Sequence, residues 1–337
     1  MAITALHRYG FDWAGLRSRR NGVWADPWKW LIKRYSTIHI QGEKPNVFIF
    51  ATSRTGSTWV MEMIATQPGI KYINSPLLPK HFRHPRSPFP SAPEFLLPHP
   101  GREARLERYF QQLLENRLGI GSPAPFSRFH RFVSRRLVVK LQSCHDLMNW
   151  FEAQFQAQII YLVRHPIATN LSRQRCPLLP FFLANGDYCR RYLTPALRAY
   201  GQSIWENGSD LQKKVLDWCL QNLPPLKFLD RSRWLCLHYE DLVMNPRGSI
   251  DKMADFLGLS DREKMYRQVS KASSAPMPDA ETRRYVEQTA STDDRTYLVN
   301  KWRKKISADE EAQLFAILRR FDLDVYEVGH DLPTHRL

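Results

Sequence analysis

The chain has 337 residues, and its 49 Lys and Arg against 33 Asp and Glu give a formal net charge of +16. This length allows one large α/β core, whereas the apolar runs fall far short of the roughly 20 residues that span a bilayer. Five cysteines, an odd number without a C-x-x-C pair, favour neither a disulfide framework nor a zinc site. The N-terminus also lacks the apolar core of a signal peptide, so we expect a soluble, cytoplasmic protein.

Residues 1–40 form a basic and aromatic N-terminal extension, ahead of a single domain predicted over residues 41–330. The cluster Arg17–Arg20 is interleaved with tryptophans, which is compatible with nucleic-acid binding or with a membrane surface. The positive charge is spread along the whole chain, however. Nucleic-acid binding is therefore disfavoured as the main role and kept as an alternative.

The segment from Asn46 to Glu62 begins as an apolar, strand-like run, breaks into a Ser/Thr/Gly loop and restarts with helical periodicity. Gly56 permits a tight turn, after which the first helical amides would point at an anion in the loop. Arg54 adds a fixed charge. Further donors come from three hydroxyls, those of Thr55, Ser57 and Thr58. The loop predicts a phosphate or sulfate site; the alternative is that its hydroxyls only cap the helix.

The details of this loop narrow the type of anion site. A nucleotide triphosphatase loop requires Lys directly after its last glycine, but here Ser57 follows Gly56. Ala51 stands where the first glycine would be. A P-loop-like kinase is disfavoured on these grounds but stays an alternative.

Proline dominates the segment 75–101, which holds eight prolines from Pro76 to Pro100. We predict a stiff extended loop that either contributes to an acceptor pocket or is a plain surface excursion. The apolar segment 176–192 likewise supplies either a pocket wall or core.

Candidate strands at 46–51, 136–140, 158–163 and 233–238 alternate with helical stretches, which predicts a doubly wound, mostly parallel sheet flanked by helices. The strand ending at Val163 brings Arg164 to the carboxyl edge of this sheet, where open α/β folds bind ligands. Ser172 follows eight residues later, about two helical turns on. An arginine there can hold a phosphate through two parallel hydrogen bonds. The last helix should begin at a capping box formed by Ser307 and Glu310.

With these two blocks the chain resembles the sulfotransferases that use 3'-phosphoadenosine 5'-phosphosulfate (PAPS). The resemblance implies a P-loop-like sulfotransferase fold, in which the loop from Arg54 to Trp59 binds the 5'-phosphosulfate and Arg164 with Ser172 binds the 3'-phosphate. It also implies sulfuryl transfer to a hydroxyl or amine of a small-molecule acceptor, a secondary metabolite or carbohydrate, with release of 3'-phosphoadenosine 5'-phosphate (PAP). No metal is required, because arginines and amides can neutralise the charge; a homodimer is left open.

Two weaker blocks extend the resemblance towards the C-terminus. The Tyr-Glu-Asp sequence at 239–241 matches the family, in which the tyrosine lies near the adenine, so Tyr239 joins Trp59 as a stacking candidate. If Trp302 matches the family tryptophan, Arg295 falls where a 3'-phosphate ligand lies. Lys301 and Arg303 are its substitutes.

The resemblance also suggests catalytic roles. Arg54 would stabilise the departing phosphate as a charge that does not give up its proton. Lys140 lies 24 residues before Arg164, the interval of a cofactor-contacting lysine in the cytosolic branch, and is assigned to the sulfuryl group. Its alternative role is a solvated lysine at a strand end.

The general base departs from the family pattern, because Gln142 stands where the cytosolic branch has histidine. Glu62 is the first candidate, since it matches a loop-helix carboxylate of a bacterial carbohydrate-sulfating branch and lies one helical turn beyond Thr58. His145 is the second candidate, and His81 or His84 the third.

Overall fold

The structure is a computed structural model that describes residues 37–78, 96–125, 127–174, 178–274 and 295–337. Its described strands are β1 (Ile38–His39), β2 (Val47–Ala51), β3 (Ile70–Asn74), β4 (Val133–Ser134), β5 (Arg136–Leu141), β6 (Gln158–Val163) and β7 (Leu235–His238). Five of them form a parallel sheet in the order β3-β5-β2-β6-β7, while β1 and β4 pair separately in parallel. The four predicted strands and the parallel sheet are confirmed.

The strand β3 was not predicted. Its sequence, Ile-Lys-Tyr-Ile-Asn, is short and carries a charge, yet Lys71 is buried and donates a hydrogen bond from Nζ to Asn116 Oδ1 at 2.6 Å. A lysine can be buried here only because the fold supplies this partner, which lies 45 residues further along the chain. The pattern of apolar residues therefore does not predict the strand.

Thirteen α-helices are described. They are α1 (Ser57–Ile64), α2 (Arg102–Leu114), α3 (Met148–Phe155), α4 (Pro166–Leu171), α5 (Leu179–Ala184), α6 (Gly186–Tyr192), α7 (Pro195–Asn207), α8 (Asp210–Leu223), α9 (Tyr239–Met244), α10 (Pro246–Leu257), α11 (Arg262–Val269), α12 (Thr296–Asn300) and α13 (Ala308–Arg320). Shorter 3-10 helices lie at His145–Leu147 and Lys301–Lys305, and a π-helical turn at Pro224–Phe228 follows α8. The predicted capping box of α13 is confirmed, because Ser307 and Glu310 bond reciprocally.

Both faces of the central sheet are buried, and alternate residues of each strand serve the two faces. Phe48 and Phe50 of β2 face a core that includes side chains of α2, α3, α8 and α13. Val47 and Ile49 face a second core with α1, α10 and α11. This two-sided packing is the doubly wound arrangement that the sequence predicted.

The crossovers place a crevice between β2 and β6, which are neighbours in the sheet. After β2 the chain enters α1 on one face, whereas after β6 it enters α4, whose Ile167 belongs to the core of the other face. Loops that leave adjacent strands in opposite directions open a crevice at the carboxyl edge of the sheet. The Arg54 loop and Arg164 border it.

Most of the proline-rich segment, residues 79–95, lies outside the described residues. In the part of the chain that is described, no helix combines the length and the apolar character needed to cross a membrane.

Candidate functional site

The loop after β2 contains two residues with a left-handed backbone conformation. Arg54 has φ 75° and Gly56 has φ 88°, both in the left-handed region. For a residue with a side chain, such as Arg54, this conformation costs about 1 kcal/mol, and such strain is concentrated at functional sites. Thr55 between them is buried, and its hydroxyl donates to Thr52 O at 2.9 Å. The Thr55 side chain therefore braces the loop.

Gly56 is required by space as well as by its backbone angle. A Cβ at this position would lie 2.6 Å from Cδ2 of Tyr239, a contact that only displacement of the ring could relieve. Tyr239 in turn meets Trp59 edge-on, with ring centroids 6.2 Å apart. The loop and the two predicted stacking aromatics thus form one packed unit.

The N-terminus of α1 opens onto this loop without a side-chain cap. The amides of Trp59 and Val60 donate to Gly56 O, but among the described residues no hydroxyl side chain bonds to the first turn. The alternative in which the Ser/Thr hydroxyls only cap the helix is therefore wrong. The positive end of the helix dipole is left available to an anion.

Lys140 extends from β5 to this helix end, where its Nζ donates to Thr58 Oγ1 at 2.9 Å. It is buried, so the alternative of a solvated strand-end lysine is wrong. Burial lowers the pKa of Lys140 to about 8; Glu62 nearby opposes this effect and Arg54 adds to it. Near pH 7 the ammonium is still largely protonated.

Arg164 crosses the crevice from β6 to the Arg54 loop. Its Nη1 donates to Arg54 O at 3.0 Å, and its guanidinium carbon lies 4.1 Å from the centroid of the Tyr239 ring. Burial, followed by the charge of Arg164, lowers the pKa of Arg54. The two guanidinium charges therefore repel each other, and an anion between them would relieve the repulsion.

Glu62 lies on α1 one turn beyond Thr58, as predicted, and is fully buried. Its carboxylate accepts hydrogen bonds from the amide and the hydroxyl of Ser274, the amide at 3.1 Å. Arg128 Nη2 lies 4.0 Å away. The carboxylate is thus held in place near the ammonium of Lys140.

His145 lies on the sheet face opposite α1, where its ring contacts Phe50 and Tyr161 edge-on at 6.0 and 6.5 Å. Burial lowers the pKa of His145 to about 3. A neutral ring of such low basicity, on the other face from Glu62, is poorly suited to accept a proton. His81 and His84 lie outside the described residues.

The remaining predicted 3'-phosphate ligands lie at the end of α4 and in the C-terminal part of the chain. Ser172 ends α4, and its hydroxyl donates to Ala168 O at 3.1 Å. Arg295 directly precedes α12, a helix that packs against α9, the helix that begins with Tyr239. Arg303, a substitute candidate, is bound to Asp331 at 2.7 Å and to Glu311 at 3.4 Å, which directs its guanidinium away from a ligand role. Lys301 begins the 3-10 helix Lys301–Lys305.

Two contributors to this region escaped the sequence-based reasoning. Ser274 carries no local signal, because it binds Glu62 from 212 positions away in the chain. Glu240 was visible inside the Tyr-Glu-Asp block, but its partners were not: it accepts the His165 amide at 2.9 Å and the Tyr326 hydroxyl at 2.8 Å.

The fold and this edge define an α/β protein in which a strand-loop-helix turn and three basic side chains surround one crevice, an arrangement suited to a polyanion. The family model of the sulfotransferase domain matches residues 44–320. The chain therefore belongs to the sulfotransferase domain family and is a sulfotransferase enzyme, as the loop resemblance predicted.

The solved structures that match this chain are distant from it in sequence. The sulfotransferase domain of the Synechococcus PCC 7002 olefin synthase shares 22% identity over 86% of this chain and 98% of that one, with a TM-score of 0.40. The sulfotransferase domain of the curacin biosynthetic pathway shares 17% identity over 86% of this chain and 100% of that one, with a TM-score of 0.45. A mouse sulfotransferase complexed with PAP shares 14% identity over 87% of this chain and 88% of that one, with a TM-score of 0.38. No curated protein sequence matches the chain significantly.

Proposed function

We propose that this sulfotransferase uses PAPS as its sulfuryl donor and transfers the group to a hydroxyl or amine of a small molecule, a secondary metabolite or carbohydrate. The observation that carries the proposal is the convergence of Arg54, Lys140 and Arg164 on the uncapped N-terminus of α1. PAP retains two phosphates, so its recognition requires positive charge at two points. The crevice offers positive charge on both of its sides.

Buried polar atoms without hydrogen-bond partners give independent support for such a donor. Nε of Arg164 and Oγ1 of Thr52 are buried and have no hydrogen-bond partner among the described residues. In the same part of the chain, no carboxylate lies within ion-pair distance of Arg164 or Lys140. Buried polar atoms without partners are costly unless a ligand or water completes them.

For the 5'-phosphosulfate, we assign the loop amides, Arg54 and Lys140. Arg54 would neutralise the negative charge that develops on the departing phosphate, and Lys140, beside Thr58, would hold the equatorial oxygens of the sulfuryl group. Such fixed charges, already oriented before the reaction, are the main source of rate enhancement in phosphoryl transfer, which sulfuryl transfer resembles.

For the rest of the nucleotide, we assign Arg164, Ser172 and Arg295 to the 3'-phosphate, and Trp59 and Tyr239 to the adenine. The Ser172 hydroxyl, now bonded to its own helix, can rotate towards a phosphate oxygen. The Arg164 guanidinium carbon already lies 4.1 Å from the centroid of the Tyr239 ring, so the phosphate and base contacts would be built on one packed surface.

Glu62 is our candidate for the general base. In the transfer step the acceptor oxygen or nitrogen forms a bond to sulfur, the bond from sulfur to the 5'-phosphate oxygen breaks, and the acceptor proton passes to the Glu62 carboxylate. Ser274 would orient this carboxylate through its amide and hydroxyl, while the other lone pairs of the oxygens receive the proton.

The experiment is a thermal-unfolding comparison with PAP, with ADP, and with ATP plus magnesium. Ligand at 100 times its dissociation constant adds about 2.7 kcal/mol, which is a measurable shift in melting temperature. We expect a large shift with PAP and little with ADP. A larger shift with ATP and magnesium would favour a kinase, and no shift at all would overturn PAPS dependence.

If PAP stabilises the protein, release of PAP from PAPS can be followed in the presence of phenols, alkyl alcohols, amines and sugars. Acceleration by one of these classes would identify the acceptor chemistry.

A further inference from the structure

The segment after α13, residues 321–337, is called here the C-terminal tail, and it begins where the family match at residues 44–320 ends. It is firmly attached to the rest of the molecule. Gly329 donates its amide to Glu311 Oε1 at 2.8 Å, and Asp331 binds Arg303 at 2.7 Å. Within the tail, the amide of Thr334 donates to Val325 O at 3.0 Å.

At the centre of the tail, Tyr326 reaches the end of β6 through one carboxylate. Its hydroxyl donates to Glu240 Oε2 at 2.8 Å, while Glu240 Oε1 accepts the backbone amide of His165 at 2.9 Å. Tyr326 and Glu240 are each 1% exposed and His165 is fully buried. In this dry environment each hydrogen bond is strong, and an unmatched partner is costly.

The ring of His165 is also fixed by C-terminal residues. It stacks on Trp302 with centroids 4.4 Å apart and planes inclined by 21°. Tyr326 meets the same ring at 5.1 Å, edge-on. The peptide that follows Arg164 is thus held on its backbone by Glu240 and on its side chain by two aromatic rings.

These contacts connect the tail to Arg164, whose Nη1 also donates to Arg54 O. Glu240 directly follows Tyr239, whose ring lies 4.1 Å from the Arg164 guanidinium carbon. The hydrogen bond from His165 to Glu240 therefore fixes the two dipeptides, 164–165 and 239–240, relative to each other. If the carboxylate turned, the guanidinium would lose its fixed direction over the ring.

We propose that Tyr326 is a positioning residue for the 3'-phosphate site, holding Arg164 in its binding direction through Glu240 and the His165 amide. The inference rests on the proposed function, because it assigns a role within the PAPS site. It differs from a general stabilising role in one respect: loss of the hydroxyl should weaken recognition of the 3'-phosphate selectively.

The test compares Tyr326→Phe with the wild-type full chain by calorimetric titration of PAP and of AMP, which lacks only the 3'-phosphate. The preference is the dissociation constant of AMP divided by that of PAP. Disturbing the support of one phosphate-binding arginine should lower this preference by about tenfold, while AMP affinity stays within about twofold. An unchanged preference in a folded Tyr326→Phe variant would overturn the inference.

Tyr109→Phe is the matched control. Tyr109 is also fully buried, and its hydroxyl donates to Pro76 O at 2.8 Å, so this variant loses a buried tyrosine hydrogen bond elsewhere in the fold. It should lower the melting temperature and leave the preference unchanged; an equal fall in both variants would also overturn the inference.

Should Tyr326→Phe fail to fold, Glu240→Met, which has a side chain of similar length but no acceptor oxygen, tests the same link and should lower the preference too. A retained preference in that folded variant would again overturn the inference. If the wild type itself does not prefer PAP over AMP, the proposed use of PAPS fails, which is a different result from loss of preference in the variant alone.

Discussion

Buried basic side chains occur in two settings in this molecule. Arg102 binds Asp146 through two hydrogen bonds, at 2.6 and 3.3 Å, and Arg173 binds Asp217. Arg164 and Lys140 are similarly buried, but within the described residues neither has a carboxylate in ion-pair distance. Buried charge without a countercharge is unfavourable for folding, so its presence at one edge indicates that a ligand supplies the countercharge.

The contrast also separates positions that look alike in the sequence. Arg102 begins a helix and Arg164 follows a strand, and neither neighbouring sequence shows whether the arginine has an acidic partner. The two arginines differ because the fold places the carboxylate of Asp146 beside Arg102 and, among the described residues, no carboxylate within ion-pair distance of Arg164.

The largest effect is expected from Glu62→Gln, because Glu62 is a buried carboxylate close enough to Lys140 to affect its pKa. Loss of a general base lowers turnover by about 100- to 10,000-fold, while PAP affinity should stay within about twofold. The measurement is steady-state PAP release with an acceptor from the screen, together with calorimetric binding of PAP. Glu152→Gln, on α3, is the control and should retain turnover. Wild-type turnover in Glu62→Gln would exclude it as the base.

The second prediction contrasts Arg102→Met with Arg164→Met directly. Removing Arg102 leaves Asp146 buried without its partner, so the free energy of unfolding should fall by about 3–5 kcal/mol. Removing Arg164 should change it by no more than about 1 kcal/mol, because the lost hydrogen bond to Arg54 O and the lost cation–π contact are partly offset by relief of the repulsion with Arg54. PAP should nevertheless bind about 100-fold more weakly. Urea unfolding and PAP titration measure the two quantities. A similar stability loss in both variants would contradict the comparison.

The smallest effect concerns pH. Burial lowers the pKa of Lys140 to about 8, so between pH 8 and 10 the free protein loses this ammonium. A bound anion would raise the pKa again, so PAP binding takes up a proton, and affinity should fall up to about tenfold per pH unit above pH 8. The phosphates of PAP, with second pKa values near 6, are already ionised in this range.

Lys140→Arg supplies the control for this pH dependence, since a guanidinium stays charged throughout the range. Its PAP affinity should be nearly flat from pH 7.5 to about 10. If the wild type is equally flat, Lys140 does not face the bound anion.

Local sequence patterns foretold much of this architecture. The strand β2, the loop with Gly56, the restart as α1 and the delivery of Arg164 by β6 all follow from apolar runs, a turn glycine and chain continuity, which act over a few residues. The capping box at Ser307 is of the same kind. The family resemblance then linked the two blocks, which lie more than a hundred residues apart in the chain.

Only the tertiary structure decided which candidates share a site. The sequence left Lys140 either in the site or in solvent, and the fold places its ammonium 2.9 Å from Thr58 Oγ1. His145 is a poor candidate for the general base because the sheet separates it from α1. The contacts of Ser274 with Glu62 and of Tyr326 with Glu240 join segments 212 and 86 residues apart. A sequence determines hydrogen-bonding groups and local turns by itself, but the partner of a buried polar group depends on how the layers pack, and that is a property of the whole fold.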